Sequence, residues 1–280
     1  MKTKGLFIAL CLLIAMGANA KEIKGNGNLV TKEIKVAPFE SIRIDLEGRK
    51  RFKWQFFGKE EDVKKPSKGC FFYSQTPGET ALSVTIDENL FPYLDITSSG
   101  GELTVNGKKD IKLIPTKLEI AASSYNLKAL RLNGCMDFEV VTPLTTSDLA
   151  VYLGGVGGVK MPHPVRTGSF SALLPGVGSM NISDLVCDKA IVTVSGVGHC
   201  SLGGEADYAD FSVSGVGSIH AYDFKAKNME IEASGVGSVN VHATESLDAK
   251  HSGVSSIKYK GNPAYTKINS SGLGSIKMVD

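Results

Sequence analysis

A dense basic and aromatic run, Arg49-Lys50-Arg51-Phe52-Lys53-Trp54-Gln55-Phe56-Phe57, carries the most distinctive chemistry in this 280-residue sequence. Arg49, Arg51 and Lys53 can meet anionic groups, while Phe52, Trp54, Phe56 and Phe57 can stack on sugars or cations. A charged stretch follows, then a second aromatic group, Cys70-Phe71-Phe72-Tyr73. Between positions 49 and 68 there are eight basic and three acidic residues, a local charge of +5. Exposed, this segment would be a patch for a surface glycan, an anionic polymer or a partner protein. Folded down, it would be a long hairpin with aromatics packed on one side and Lys/Arg stems solvated on the other. Both readings stand at this point.

Other reactive residues do not converge. The sequence has no HExxH and no GxSxG, and its Gly-Val-Gly triplets recur too regularly to be a phosphate loop. Cys70, Cys135, Cys187 and Cys200 contain no CxxC spacing, so a zinc site is not expected. Cys135 and Cys200 read as small buried hydrophobes; the pairing of Cys70 and Cys187 is left open. His163, His199, His220, His242 and His251 occupy different positions of the repeat described next, which argues against a shared metal. No cofactor is implied.

The scaffold that must carry these groups is a repeat. The central apolar residue of a Gly-Val-Gly-Ser tetrad recurs at Cys135, Val156, Val177, Val197, Val216, Val236, Val254 and Leu273. The spacings are 21, 21, 20, 19, 20, 18 and 19. A roughly 20-residue period is too short for helix-pair repeats and suits one coil of a β-solenoid. Glycine precedes the anchor in all eight units: Gly134, Gly155, Gly176, Gly196, Gly215, Gly235, Gly253 and Gly272. Three residues after it stand Phe138, Val159, Met180, Cys200, Ile219, Val239, Ile257 and Ile276, all apolar. Apolar columns also lie five before and five after the anchor, with mostly polar residues between. This is period-two alternation, a half-buried strand on each side of a corner. The corner glycines are expected to supply φ > 0.

The fold expected is therefore all-β. It is a single-stranded parallel β-helix or β-solenoid with coils of about 20 residues, capped by an irregular β-rich N-terminal section; a right-handed path is favoured. Residues 126–280 form eight coils, and residues 21–125 form the N-terminal section with the inserted loop 49–73. Strand-like runs there cover 29–36, 41–45, 81–85, 93–97, 102–105 and 117–121, and a short helical turn suits 87–90.

Residues 1–20 read as an address. Lys2 and Lys4 precede an apolar run from Leu6 to Met16, and Ala18-Asn19-Ala20 fits small-x-small cleavage. Removal of this segment leaves 29 basic and 29 acidic residues. A neutral protein is a poor match to nonspecific nucleic-acid binding. No later run is long and apolar enough for a transmembrane helix, so the mature chain is expected to be exported, to the periplasm, the outer cell surface or the medium.

In this order, these motifs resemble the bacterial putative auto-transporter adhesin, head GIN domain family. The resemblance rests on Gly25-Asn26-Gly27-Asn28, Phe39-Glu40-Ser41-Ile42, Asp87-Glu88-Asn89-Leu90 and the Ser-Gly-Val-Gly-Ser units. It implies an exported, envelope-associated β-solenoid with an adhesive or binding role and no catalytic motif. Residues 49–73 depart from the family pattern as an insertion. Self-export would need a C-terminal membrane barrel, and the sequence reaches Asp280 directly after a repeat, so self-export is not expected. The competing class is a solenoid hydrolase or lyase acting on polysaccharide. That chemistry needs carboxylates clustered on one face, and the outward columns beside the corner hold only Glu139 and Glu232, five coils apart. An envelope lipid- or glycan-binding role is a third reading.

Overall fold

The computed structural model describes residues 21–46 and 69–279. The segment 47–68, which holds the basic and aromatic candidates, lies outside the described residues.

The repeat builds a β-solenoid of about eight turns. Strands before and after each corner stack in parallel on their copies in the next coil. On the first wall the register runs Leu130, Val151, Ala172, Val192, Phe211, Ile231, Ala249, Ile268. On the second it runs Phe138, Val159, Met180, Cys200, Ile219, Val239, Ile257, Ile276. These are the apolar columns read from the sequence. All of them are buried except at the last coil, where Ile268 is exposed and Ile276 half-buried. Branched and aromatic side chains favour this pleated surface, and each coil buries its apolar face only when stacked.

Two further rungs extend the stack at its N-terminal end, out of chain order. Ser41–Leu46 pairs in parallel with Ala129–Gly134, and Gly69–Gln75 with Met136–Val140. The rung beyond is formed by later residues, Glu102–Gly107 and Leu118–Ser124. So the earlier segment is sandwiched between two later ones. Cys70-Phe71-Phe72-Tyr73 therefore belongs to a core strand, which corrects its assignment to an insertion. Phe71 and Tyr73 are fully buried, and both stack on Phe138, with ring centroids 5.1 and 6.4 Å away.

Antiparallel strands lie over that end. Leu94–Ser99 lies on Glu102–Gly107, Ala81–Asp87 on Leu118–Ser124, and Leu29–Glu33 on Ala81–Asp87. A 3₁₀ turn falls at Phe91–Tyr93, just after the 87–90 segment where a helical turn is expected, because Pro92 suits its first turn. Asp87 staples this cap. Its buried carboxylate accepts from the Gly27 amide (2.8 Å) and from the amide and hydroxyl of Thr116 (2.8 and 2.7 Å). Nearby, Asn89 accepts from the Asn26 amide and donates to the Lys24 carbonyl. The separated motifs Gly25–Asn28 and Asp87–Leu90 thus form one device.

The corner glycines serve a purpose other than the one expected. Only Gly134 (φ +123°) has the left-handed backbone, and the other seven do not. Their common constraint is close approach. A Cβ on Gly155, Gly196 or Gly253 would stand 2.0–2.2 Å from a carbonyl oxygen of the coil before. That oxygen accepts the anchor amide of the next corner, as from Val177 to Gly155 and from Val197 to Gly176, both at 2.9 Å. Stacked corners leave no room for a side chain.

Candidate functional site

The corner has a second effect, on the anchor itself. Its amide is tied to the coil before, the strands on both sides turn their apolar residues inward, and the anchor side chain is left facing solvent. Val156, Val177, Val197, Val216, Val236 and Val254 are each about half exposed, and Leu273 is 76% exposed. Cys135 heads the same column, bridged to Val156, and is exposed. This overturns its reading as a buried hydrophobe: the anchor position points out in every coil.

The result is an apolar ladder on the outside of the solenoid. Its seven steps, at the ~4.8 Å spacing of paired strands, run about 34 Å. Glycine before each anchor, and after most of them, leaves no Cβ to shield the branched side chains. The valines form a ridge bordered by hydroxyls such as Ser179, Ser218 and Ser238. A continuous apolar stripe of this length is the candidate interaction surface among the described residues. It offers desolvation and dispersion to an apolar partner and contains no nucleophile apart from the thiol at its head.

The sequence candidates Arg49, Arg51, Phe52, Lys53, Trp54, Phe56 and Phe57 all lie outside the described residues. Their flanks are placed: Leu46 pairs with Gly134 and Gly69 with Met136. Where the next rung turns its corner with Cys135 alone, this rung carries the whole segment 47–68. The corner glycines line the base of the ridge.

The expectation that carboxylates do not cluster needs correction. Six residues before the anchor, Asp210, Glu230 and Asp248 stand in register on consecutive coils, ending at Lys267. Lys267 pairs with Asp248 at 2.9 Å. Burial, then the neighbouring Glu230, pushes the Asp210 carboxyl above the usual carboxylate range. Tyr208 is pushed up to about 12 by burial and by its hydrogen bond to Glu230. The signal was present as a third outward column on the first wall. A second feature, on the return segments, is a shallow groove of about 520 Å³ where Arg166, Glu205, Asp207 and Lys227 meet. Two of its cations are paired, Arg166 with Asp184 at 2.7 Å and Lys227 with Asp207 at 2.6 Å. No group of three or more metal-ligating side chains occurs among the described residues, and no helix there is long and apolar enough to cross a membrane.

Comparison with known proteins gives a consistent picture. The family model described as putative auto-transporter adhesin, head GIN domain, matches residues 73–263. Among solved structures, a putative lipid binding protein from Parabacteroides distasonis ATCC 8503 is 30% identical, with a TM-score of 0.80, over 93% of this chain and 100% of that one. A putative adhesin from the same strain is 27% identical, with a TM-score of 0.79, over 92% and 100%. A putative adhesin from Parabacteroides merdae ATCC 43184 is 27% identical, with a TM-score of 0.75, over 93% and 100%. No curated protein matches.

Proposed function

Because the chain belongs to the putative auto-transporter adhesin, head GIN domain family, we propose that it is a non-enzymatic, exported binding protein of the cell envelope that engages its target along the valine ladder. The observation that carries this reading is the ladder itself, seven apolar side chains from Val156 to Leu273 held out in one line. A rigid solenoid holds them in fixed register, so little ordering entropy is lost on contact. The descriptions of related structures as adhesins and as a lipid binding protein support an apolar partner, a protein or a lipid surface. Arg49, Arg51, Phe52, Lys53, Trp54, Phe56 and Phe57 would add cationic and aromatic contacts for anionic groups.

The test is the double variant Val197→Asp/Val216→Asp, compared with wild type for co-sedimentation with envelope preparations and with phospholipid vesicles. Retention should fall at least tenfold with an unchanged thermal melt. Equal retention of both proteins would remove the ladder from the binding surface.

One observation favours a second reading. Asp210 and Glu230 stand opposite each other on adjacent rungs, one strand spacing of ~4.8 Å apart at the backbone, and retaining glycosidases use two carboxyl groups ~5–5.5 Å apart. Asp210 would be the proton donor and Glu230 the nucleophile. Release of reducing sugar from envelope polysaccharides, abolished in Glu230→Gln, would establish that reading in place of the first.

A further inference from the structure

The valine ladder runs along a corner of the solenoid, so a flat partner that touches it must lean on one of the two walls that meet there. The walls differ in charge. On the wall after the corner, the outward positions two and four residues past each anchor, from Val177 to Leu273, hold only serine, asparagine, histidine and lysine. On the wall before it, the outward positions four and six residues ahead of the same anchors carry Asp210, Glu230, Glu232 and Asp248, offset in part by Lys250 and Lys267. In these columns one side of the ladder has no carboxylate and the other side is acidic.

The lysines of the first side keep their charge unspent. Lys258 is exposed, and its neighbours in register are Asn240 on one rung and Lys277 on the next. Like charges directly opposed across a strand pair are unfavourable, and no acidic residue stands in register with either. Lys260, two residues along the same strand, stands beside His242, and its ammonium lies 5.3 Å from the centre of the Tyr222 ring. None of these three lysines forms an ion pair among the described residues.

Resting on the ladder as the binding surface, we propose that the ladder and this basic wall together dock on a bilayer surface that carries anionic lipid headgroups. A convex ridge inserts into a partner, and a fluid bilayer yields to it along its whole length. The exposed valines and Leu273 enter the boundary between headgroups and acyl chains, as the apolar face of an interfacial element does. Lys258, Lys260 and Lys277 meet lipid phosphates at the side, with their stems along the wall. Ammonium groups on flexible stems suit a fluid array of phosphates better than a fixed set of partner carboxylates. The acidic wall turns away, because the same negative surface repels it. Each lysine near an anionic surface is worth roughly a fivefold factor in partitioning, and salt screens that gain.

Flotation of the purified protein with vesicles tests this. Vesicles of phosphatidylcholine are compared with vesicles of an equal mixture of phosphatidylcholine and phosphatidylglycerol. Wild type should bind the mixed vesicles at least about tenfold more tightly, and added salt should reverse most of that gain. Lys258→Gln/Lys260→Gln/Lys277→Gln should bind the mixed vesicles about thirtyfold or more weakly. Lys35→Gln/Lys108→Gln/Lys109→Gln removes the same charge from exposed positions at the N-terminal end and should bind like wild type. All six positions are on the surface, and circular dichroism melts confirm that each variant folds. In a Cys70→Ser/Cys135→Ser background, a polarity-sensitive fluorophore on Ser201→Cys, on the basic wall, should shift to the blue with mixed vesicles. The same fluorophore on Ser212→Cys, on the acidic wall, should not. Equal binding to the two kinds of vesicle, equal losses in the two lysine triples, or a blue shift at Ser212 as large as that at Ser201 overturns the proposal. So does a wild type that binds neither vesicle. Envelope retention of Val197→Asp/Val216→Asp then judges the ladder separately, since a fall in retention would leave it with a protein partner.

Discussion

The carbonyl oxygen of Gly196 accepts the amide of Val216 at 2.9 Å and stands 2.1 Å from where a Cβ on Gly215 would be. One atom therefore both ties adjacent coils together and forbids a side chain between them. Gly215→Ala must separate the two corners or bend the backbone, an overpacking cost of about 1–3 kcal/mol. The expected drop in melting temperature is roughly 2–4 °C per kcal/mol for a chain of this size. Gly107→Ala, where a Cβ meets nothing within 4 Å, is the control and should melt like wild type. Equal melts for both variants would refute the close-approach account.

The two apolar columns should respond oppositely to truncation. Val239 is fully buried and Val236, three residues earlier, is half exposed. Val239→Ala should cost about 1.5–3 kcal/mol, by lost transfer energy and a cavity. Val236→Ala should change stability by less than about 0.5 kcal/mol. Urea denaturation of the two variants checks this, and a cost at Val236 matching that at Val239 would contradict the outward ladder.

Asp87 makes the N-terminal cap acid-sensitive. Burial alone would raise its carboxyl, but the Thr116 hydroxyl and the Gly27 and Thr116 amides outweigh it and hold it below the ordinary carboxylate value. A lowered folded value means that the charged form stabilises the fold. Its contribution is complete above the unfolded value near ~4 and is lost as pH falls through the folded value. Asp87→Asn should cost about 1–3 kcal/mol at pH 7, because an amide nitrogen then faces backbone donors. The gap between wild type and variant should narrow in urea melts below pH 4. A gap independent of pH would show that the carboxylate charge is not the stabilising feature.

Thiol labelling should rank the cysteines. Cys135 is exposed and should react first with a disulfide reagent. Burial pushes the Cys187 thiol up to about 12, and fully buried Cys200 higher still. Both should react only on opening or unfolding. Rapid labelling of Cys200 in the native protein, read by peptide mass spectrometry, would contradict its inward position.

The inward columns were legible in the sequence because every coil repeats the same burial requirement, so Val159, Ile219 and Val239 announce one another. The exposed anchors were not, since valine at a conspicuous repeated position looks the same whether it faces in or out. The glycines misled for a related reason. A sequence shows that a side chain is absent, and both positive φ and a neighbouring backbone call for that. The rung containing Phe71 and Tyr73 was hidden because it carries no tetrad of its own and its partners, Ile120 and Phe138, lie far along the chain. The Asp210–Glu230–Asp248 column was readable at the fixed offset of six residues before the anchor; it begins only midway along the stack, where the earlier coils carry Ala, Ser and Ile.

The rung sandwiched out of chain order sets a timetable for folding. Ile42 pairs with Leu130, 88 residues later, and also with Leu103. Each coil of the repeat needs only its neighbour, about 20 residues away, so loop closure there costs less and pairing can spread stepwise. Contacts of long sequence separation form late. During synthesis the strand Ser41–Leu46 must therefore wait, with both edges open, until residues 102–134 have followed it. Folding should start among the coils and finish at the staple, so a chain cut short before residue 102 would leave that strand unpaired on both sides.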